Sequence, residues 1–161
     1  MDLNEKTIDR TVIYNGKIVD VEIHTVTLPN GETSTRELVY HNGAVAVCAV
    51  TPKKEVVLVK QYRKPVEKPL LEIPAGKLED DEDRVEAAKR ELEEETGYIA
   101  KELTHVVDMY GSPGFCDEQL SIYFTDNLEE GTVHLDEDEF VEVIKVPIEN
   151  VKSMLMNKEI E

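Results

Sequence analysis

The sequence has little of what marks a secreted or membrane-spanning protein. It contains no tryptophan and only two cysteines, Cys48 and Cys116, in 161 residues, which is too few for a disulfide framework. No apolar run approaches the roughly 18 residues of a membrane span, and AVAVCAV at 44–50 is typical of a buried strand. The first ten residues are polar, unlike a secretory signal. We therefore expect a reducing, cytoplasmic location and no membrane partner.

Basic residues are also scarce. There are 18 Lys and Arg against 35 Asp and Glu, which gives a formal net charge of −17. Because nucleic acid and anionic membranes favour basic surfaces, this composition argues against both as partners. An acidic protein that acts on an anionic small molecule needs local positive charge, which metal ions and a few arginines can supply. The length suits one domain with, at most, a small appendage.

The N-terminal 42 residues are the predicted appendage. They contain β-rich, partly alternating segments separated by turn sequences at Asn15-Gly16 and Pro29-Asn30-Gly31, which predicts a small antiparallel sheet. A sheet of so few strands has a thin core, so we expect a second copy of the chain to cover it. The predicted organisation is a dimerisation sheet at 1–42 and a main domain at 43–161.

The main domain is organised around residues 76–98, GKLEDDEDRVEAAKRELEEETGY. Strong helix formers fill its second half, and Gly97 is the residue type at which helices often end. On such a helix Glu91, Glu94 and Glu95 share one face, because residues three and four apart are neighbours. A hard divalent cation, Mg²⁺ or Mn²⁺, would relieve their repulsion. The alternative is a solvated acidic helix face.

The spacing of the whole segment is more specific than its acidity. It resembles the signature of the Nudix hydrolases at every fixed position, namely Gly76, Glu82, Arg90, Glu91, Leu92, Glu94, Glu95, Gly97 and Tyr98. The resemblance implies an α/β (α+β) fold: an α/β/α sandwich with a mixed β-sheet, plus the small N-terminal antiparallel β-sheet. It also implies hydrolysis of a nucleoside diphosphate linked to another group.

Further segments resemble the ADP-ribose pyrophosphatases within that family. They are Leu71–Gly76, Ser112–Phe115, Asp138–Val143 and the short matches Arg36–Leu38 and Gln61–Arg63. This resemblance implies Mg²⁺-dependent cleavage of ADP-ribose to AMP and ribose 5-phosphate. The alternatives are another nucleotide sugar, such as GDP-mannose, and a non-catalytic sensor that binds ADP-ribose. Family members usually continue into a further helix, which is expected to be absent, shortened or trimmed beyond Glu161.

The resemblance also assigns the metal ligands by position. Two or more Mg²⁺ ions per site, with Mn²⁺ as a substitute, would be held by Glu91 and Glu95 and by the carbonyl oxygen of Ala75. Glu94 would join them when further ions bind. The N-terminal sheet of each subunit would contribute to the partner's site in a homodimer.

The remaining roles form three groups. A carboxylate must take the proton of the attacking water, and a late acidic loop offers Glu137 and Glu139, one as general base and one as a further metal ligand. Substrate contacts would come from Arg36, Arg63, Glu72, Pro113 and Gly114. Structural support would come from Gly76, Glu82, Arg90 and Gly97. The alternatives are an ordinary surface ion pair at Arg36 and at Arg63, a simple helix-start charge at Glu82 and a solvated loop at 136–139. We expect residues 126–139 to be mobile, since few apolar side chains anchor them.

Overall fold

The computed structural model describes residues 2–135 and 139–160. Within these ranges the helices are α1 (Arg84–Thr96) and α2 (Ile148–Met156), with a short 3-10 helix at Lys64–Val66. The strands are β1 (Lys6–Asn15), β2 (Val19–Thr27), β3 (Thr33–His41), β4 (Ala44–Val50), β5 (Glu55–Arg63), β6 (Lys68–Glu72), β7 (Ala75–Lys77), β8 (Tyr98–Ala100), β9 (Thr104–Tyr110), β10 (Gln119–Thr125), β11 (Leu128–Glu130) and β12 (Val141–Pro147). Neither described helix is long and apolar enough to cross a membrane.

Contacts divide the chain into two compact units. The first comprises the residues up to Gly43 together with Met109–Leu120, and the second comprises Ala44–Asp108 and the residues from Ser121 onward. In the first unit β1, β2 and β3 form the predicted antiparallel sheet. The later segment joins this sheet through the N–H of Val39, which donates to the carbonyl oxygen of Phe115 at 2.7 Å.

The second unit is built on a seven-stranded sheet. Its strand order is β12-β5-β4-β10-β9, with β6 paired to β5 and β7 paired to β4. The strands β4 and β5 are its central part: β4 is apolar and almost entirely buried, and residues 56–59 of β5 are apolar and buried. Side chains that alternate along β5 pack against opposite helices: Val57 joins the core under α1, whereas Val56 and Leu58 join the core under α2. The predicted α/β/α sandwich is therefore confirmed.

Residues 126–139, which the sequence indicates to be mobile, begin with a strand that the sequence does not indicate. Leu128–Glu130 forms β11, which pairs antiparallel with β8 at the end of α1. The physical reason is Leu128, whose side chain packs against the core under α1 and holds the strand in place.

Candidate active site

The helix α1 positions the acidic side chains, and local sequence fixes both of its ends. Asp83 caps its start, where the carboxylate accepts hydrogen bonds from the N–H groups of Val85 (2.9 Å) and Glu86 (3.2 Å). Gly97 ends it with φ +71°, and its N–H donates to the carbonyl oxygen of Glu93 at 2.8 Å. The apolar face, including Leu92, is buried against the sheet. The position of each carboxylate on the remaining surface is therefore fixed.

Arg90 joins four carboxylate oxygens at one point. Its Nε donates to Oε1 of Glu82 and its Nη2 donates to Oε2, each at 2.9 Å. Its Nη1 donates to Glu91 at 2.8 Å and to Glu94 at 2.9 Å. The hydrogen bonds to Glu82 are the main reason that the pKa of Arg90 is raised and that of Glu82 is lowered. The positively charged guanidinium of Arg90 thus lies between Glu91 and Glu94, and its hydrogen bonds to Glu82 keep it in that position.

Glu95 is a buried carboxyl with few partners. Only 3% of its surface is exposed. The backbone N–H of Ala75 donates to Oε2 at 3.0 Å, and the side-chain amide of Gln61 donates to Oε1 at 3.4 Å. Burial outweighs these hydrogen bonds and raises the pKa of Glu95 to about 7. Burial likewise raises the pKa of Glu91. A nearby positive charge would stabilise the ionised forms of both Glu91 and Glu95.

Gly76 faces the Glu91 carboxylate at very close range. A Cβ atom at position 76 would lie 1.9 Å from Cδ of Glu91 and 2.1–2.2 Å from its oxygens. The φ angle of Gly76 is not positive, unlike that of Gly97. The reason for glycine here is therefore the close approach of a carboxylate, and not a left-handed backbone conformation.

Glu139 and an Arg63–Glu72 ion pair adjoin the same carboxylates. Glu139 is near enough to contribute to the raised pKa values of Glu91 and Glu95, and the charge of Arg63 acts on Glu95 in the opposite direction. The guanidinium of Arg63 donates to Glu72 through Nε at 2.7 Å and Nη2 at 3.1 Å. The second unit therefore brings together the residues predicted at 63, 72, 75, 76, 82, 90, 91, 94, 95 and 139. Glu137 lies outside the described residues.

Three further predicted residues belong to the first unit. Arg36 forms a two-pronged ion pair with Glu5, with distances of 2.8 Å and 2.5 Å. Pro113 lines a cavity of about 280 Å³ whose walls include the rings of Tyr40, Tyr110 and Phe115. Gly114 lies in the same loop, and a Cβ atom there would meet nothing within 4 Å. In the isolated chain Arg36 therefore forms an ion pair, which is the alternative to a substrate contact.

Sequence reasoning did not assign two of these partners. Gln61 contacts the carboxyl of Glu95, and the alternation of β5 contains the signal for it, because residues 57, 59 and 61 point to the same face. Glu5, which pairs with Arg36, is 31 positions away in sequence, and no local pattern links the two.

The acidic side chains of α1 are the candidate donors to a divalent metal ion. In the part of the chain that the structure describes, no three acidic, histidine or cysteine side chains are gathered around one point. The carboxylates of Glu91 and Glu94 meet instead at Nη1 of Arg90. The chemistry of Glu91, Glu94 and Glu95 nevertheless fits a hard cation, since all three are oxygen donors and burial desolvates Glu91 and Glu95.

The family of the chain is established by comparison with known proteins. Residues 40–160 match the model of the NUDIX domain. The chain therefore belongs to the Nudix family, which confirms the family and the hydrolase class that residues 76–98 indicate.

Individual relatives are similar over nearly the whole chain. The chain is 49% identical over 160 residues to the ADP-ribose pyrophosphatase of Bacillus subtilis (strain 168), covering 98% of this chain and 86% of that protein. It is 46% identical over 158 residues to the methanol dehydrogenase activator of Bacillus methanolicus, covering 97% and 85%. The crystal structure of an ADP compounds hydrolase superposes with a TM-score of 0.83 at 22% identity, covering 97% of this chain and 85% of that one, and this confirms the fold.

Proposed function

We propose that this chain hydrolyses the diphosphate of ADP-ribose to AMP and ribose 5-phosphate with the help of divalent metal ions. The observation that carries the proposal is the face of α1 that bears Glu91, Glu94 and Glu95, where burial raises the pKa values of Glu91 and Glu95. The 49% identity to an ADP-ribose pyrophosphatase supports this choice of substrate.

The metal ions would be Mg²⁺, with Mn²⁺ as a substitute, and two or more per site. Glu91, Glu95 and the carbonyl oxygen of Ala75 would hold them, with Glu94 as an additional ligand. When bound, such ions neutralise phosphate oxygens and lower the pKa of water. Arg90 keeps the carboxylates close together before metal arrives, and Gly76 leaves the Glu91 carboxylate the space it occupies.

The chain's own residues then perform three tasks. Glu139 or Glu137 takes the proton of the water that attacks phosphorus, and the electrostatic coupling of Glu139 to Glu91 and Glu95 supports its place near that water. Arg63 binds ribose or phosphate oxygens, and the two hydrogen bonds that it donates to Glu72 orient its guanidinium. Arg36, Pro113 and Gly114, all in the first unit, are proposed as further residues that contact substrate.

We further propose that the chain acts as a homodimer in the cytoplasm, and that the sheet of β1–β3 contributes to the partner's site. Support comes from β1, whose Ile8, Val12, Ile13 and Tyr14 are each more than half exposed in the single chain. Apolar exposure on this scale is typical of an interaction surface. The two thiols, Cys48 and Cys116, are both free, as a reducing compartment would require.

The substrate is tested with a panel of nucleoside diphosphate compounds at saturating Mg²⁺. ADP-ribose and GDP-mannose form the central pair, and release of AMP or GMP is followed by chromatography. We expect kcat/KM to be highest for ADP-ribose. A higher value for GDP-mannose would overturn the substrate assignment while leaving the hydrolase class intact. Tight binding of ADP-ribose without release of AMP would favour the non-catalytic sensor.

A second candidate function is activation of an alcohol dehydrogenase. The observation that favours it is the 46% identity to a methanol dehydrogenase activator. The test measures the rate of a purified methanol dehydrogenase with and without this chain, using Glu95→Gln as the control. Acceleration by the unmodified chain and not by the variant would show that activation depends on the carboxylate site.

A further inference from the structure

The turn that follows β9 is attached to β3 by its backbone. Val39 donates its N–H to the carbonyl oxygen of Phe115 at 2.7 Å, and its own carbonyl oxygen accepts from the N–H of Asp117 at 3.2 Å. The turn itself is closed by the N–H of Phe115, which donates to the carbonyl oxygen of Ser112 at 3.1 Å. All of these residues belong to the first unit. The backbone of residues 112–117 is therefore held in one conformation without help from a ligand.

This turn and β3 line a cavity of about 280 Å³, the ring cavity. Its walls include three aromatic rings, those of Tyr40, Tyr110 and Phe115. Tyr110 and Phe115 are each 54% exposed, so a ligand can reach them. Aromatic faces bind planar heterocycles by stacking. The volume is close to the lower limit of roughly 300 Å³ for ligand pockets, so the ring cavity suits one ring system and not a whole dinucleotide.

The charge at the ring cavity determines which part of a nucleotide it can accept. Asp117 lines the cavity, and among the lining residues that the structure describes there is no lysine, arginine or histidine. The negative charge of Asp117 would repel a phosphate group, whereas an uncharged ring would not be repelled. The ring cavity therefore suits the base of a nucleotide better than its phosphates.

Asp117 also selects between rings. Its Oδ1 accepts from the backbone N–H of His41 at 2.8 Å, which orients the carboxylate. An ionised carboxylate accepts hydrogen bonds at both oxygens and donates none, so Oδ2 can accept from a ligand. A ring that carries an amino group, such as adenine, supplies this donor, and an unsubstituted purine ring does not. The carboxylate therefore favours an aminopurine.

We propose that the ring cavity binds an aminopurine ring, which stacks on Phe115 and donates an amino N–H to Asp117. Phe115 is the stacking partner because its N–H and its carbonyl oxygen are both hydrogen-bonded within the first unit. Adenine is the ring of this class in the proposed substrate, so the identification of the ring as adenine rests on the proposed function. The ring can come from ADP-ribose itself or from a free nucleoside, because both carry the same base.

Stacking is tested with adenosine in EDTA, where the dissociation constant is measured by saturation-transfer NMR. The matched variants are Phe115→Leu, which keeps an apolar side chain but removes the ring, and Phe115→Tyr, which keeps the ring. We expect Phe115→Leu to weaken adenosine binding by about tenfold and Phe115→Tyr to leave it unchanged. Absence of adenosine binding to the unmodified chain, or equal binding by the two variants, would overturn the proposal.

The hydrogen bond to Asp117 is tested with adenosine and purine riboside, which is the same nucleoside without the amino group. We expect the unmodified chain to prefer adenosine by about tenfold, because hydrogen bonds to a charged group are among the stronger ones. Asp117→Asn keeps an oxygen for the N–H of His41 but turns an amide NH₂ toward the ligand, so the preference should disappear. An unmodified chain without the preference, or a variant that retains it, would contradict the assignment of Asp117.

Thiol modification tests where the ring binds. Cys116 lines the ring cavity, and Cys48, on β4 in the second unit, is the internal control. We expect saturating adenosine to slow the reaction of Cys116 with methyl methanethiosulfonate and to leave that of Cys48 unchanged, as measured by mass spectrometry of the two peptides. Unchanged reactivity of Cys116, with adenosine bound, would place the ring elsewhere and overturn the proposal.

Kinetics with ADP-ribose at saturating Mg²⁺ distinguish the two sources of the ring. If the ring belongs to the substrate, Phe115→Leu raises KM by about tenfold and leaves kcat unchanged. If it belongs to a free nucleoside, KM stays unchanged although adenosine binding is weaker, and the ring cavity is then a separate aminopurine site. An unmodified chain that binds adenosine in the ring cavity but releases no AMP from ADP-ribose would contradict only the proposed function.

Discussion

At the scale of single residues, the main feature of the site is Glu95, a carboxyl that is buried and has acidic neighbours. Both conditions oppose its ionisation. The N–H of Ala75 stabilises its anion, but burial dominates, and Glu91 and Glu139 add repulsion. In solvent a carboxyl with this chemistry would be ionised well below pH 7. The fold therefore stores an unfavourable interaction in the metal-free state, which a cation at the same position would relieve.

The conflict predicts a pH-dependent stability difference in metal-free protein. The folded pKa of Glu95 is raised from 4.5 to about 7, so its contribution to stability is fully present below about pH 4.5 and is lost as pH rises through about 7. Glu95→Gln lacks this titration. We expect the variant to become more stable than the unmodified chain above pH 7, by on the order of 3 kcal/mol. Urea unfolding in EDTA across this pH range measures it, and a pH-independent difference would be evidence against a raised pKa.

At the scale of elements, α1 was predictable and its surroundings were not. Helix formers, the Asp83 cap and the Gly97 stop are all local signals, so the helix and its acidic face follow from sequence. The strands β7, β8 and β11 have three residues each, too few to show a period. They form because neighbouring strands and α1 offer partners, and that information lies elsewhere in the chain.

In the candidate site, too, some features could be predicted from the sequence and others could not. The spacing of residues 76–98 predicts that Glu91, Glu94 and Glu95 are site residues and that Glu82 and Arg90 support them. The attachment of residues 131–134 to α1 and the contact between Gln61 and Glu95 depend on tertiary structure. Composition alone therefore suggested a mobile acidic stretch where the structure has a strand and backbone hydrogen bonds.

At Gly76 the strand β7 lies directly against the Glu91 carboxylate of α1, which makes this position sensitive to any side chain. We expect Gly76→Ala to displace the Glu91 carboxylate, to destabilise the fold by about 1–3 kcal/mol and to weaken Mn²⁺ binding. Gly111→Ala is the matched control, because a Cβ atom there meets nothing within 4 Å. Thermal unfolding and Mn²⁺ titration of both variants provide the measurement. Equal behaviour of the two variants would show that the close approach is unimportant.

At the scale of the whole molecule, a net charge of −17 accompanies an apolar β1 surface. General repulsion between copies keeps acidic proteins apart unless a specific apolar surface joins them. In the single chain the exposed side chains of Ile8, Val12, Ile13 and Tyr14 are the candidates for such a surface in the proposed homodimer. The charge and the exposed strand therefore favour one defined dimer over general association.

The dimer is tested by light scattering at micromolar concentration together with activity. We expect a mass of twice 18.3 kDa, and we expect Ile13→Asp to give a monomer with reduced activity, because the partner's sheet no longer contributes to the site. Tyr62→Asp, at an equally exposed aromatic outside the first unit, is the control and should stay dimeric. A fully active monomer of the unmodified chain would contradict the proposed role of the partner.

The central claim is that the carboxylates of α1 form the site of metal-dependent ADP-ribose hydrolysis. The most direct test is AMP release from ADP-ribose at saturating Mg²⁺ by Glu95→Gln, compared with Glu93→Gln on the opposite side of the same helix. We expect Glu95→Gln to lose activity by about 100-fold or more with an unchanged circular dichroism spectrum, and Glu93→Gln to stay active. Retention of more than about a tenth of the activity by Glu95→Gln would contradict the account, because a group that stabilises the transition state contributes more than that.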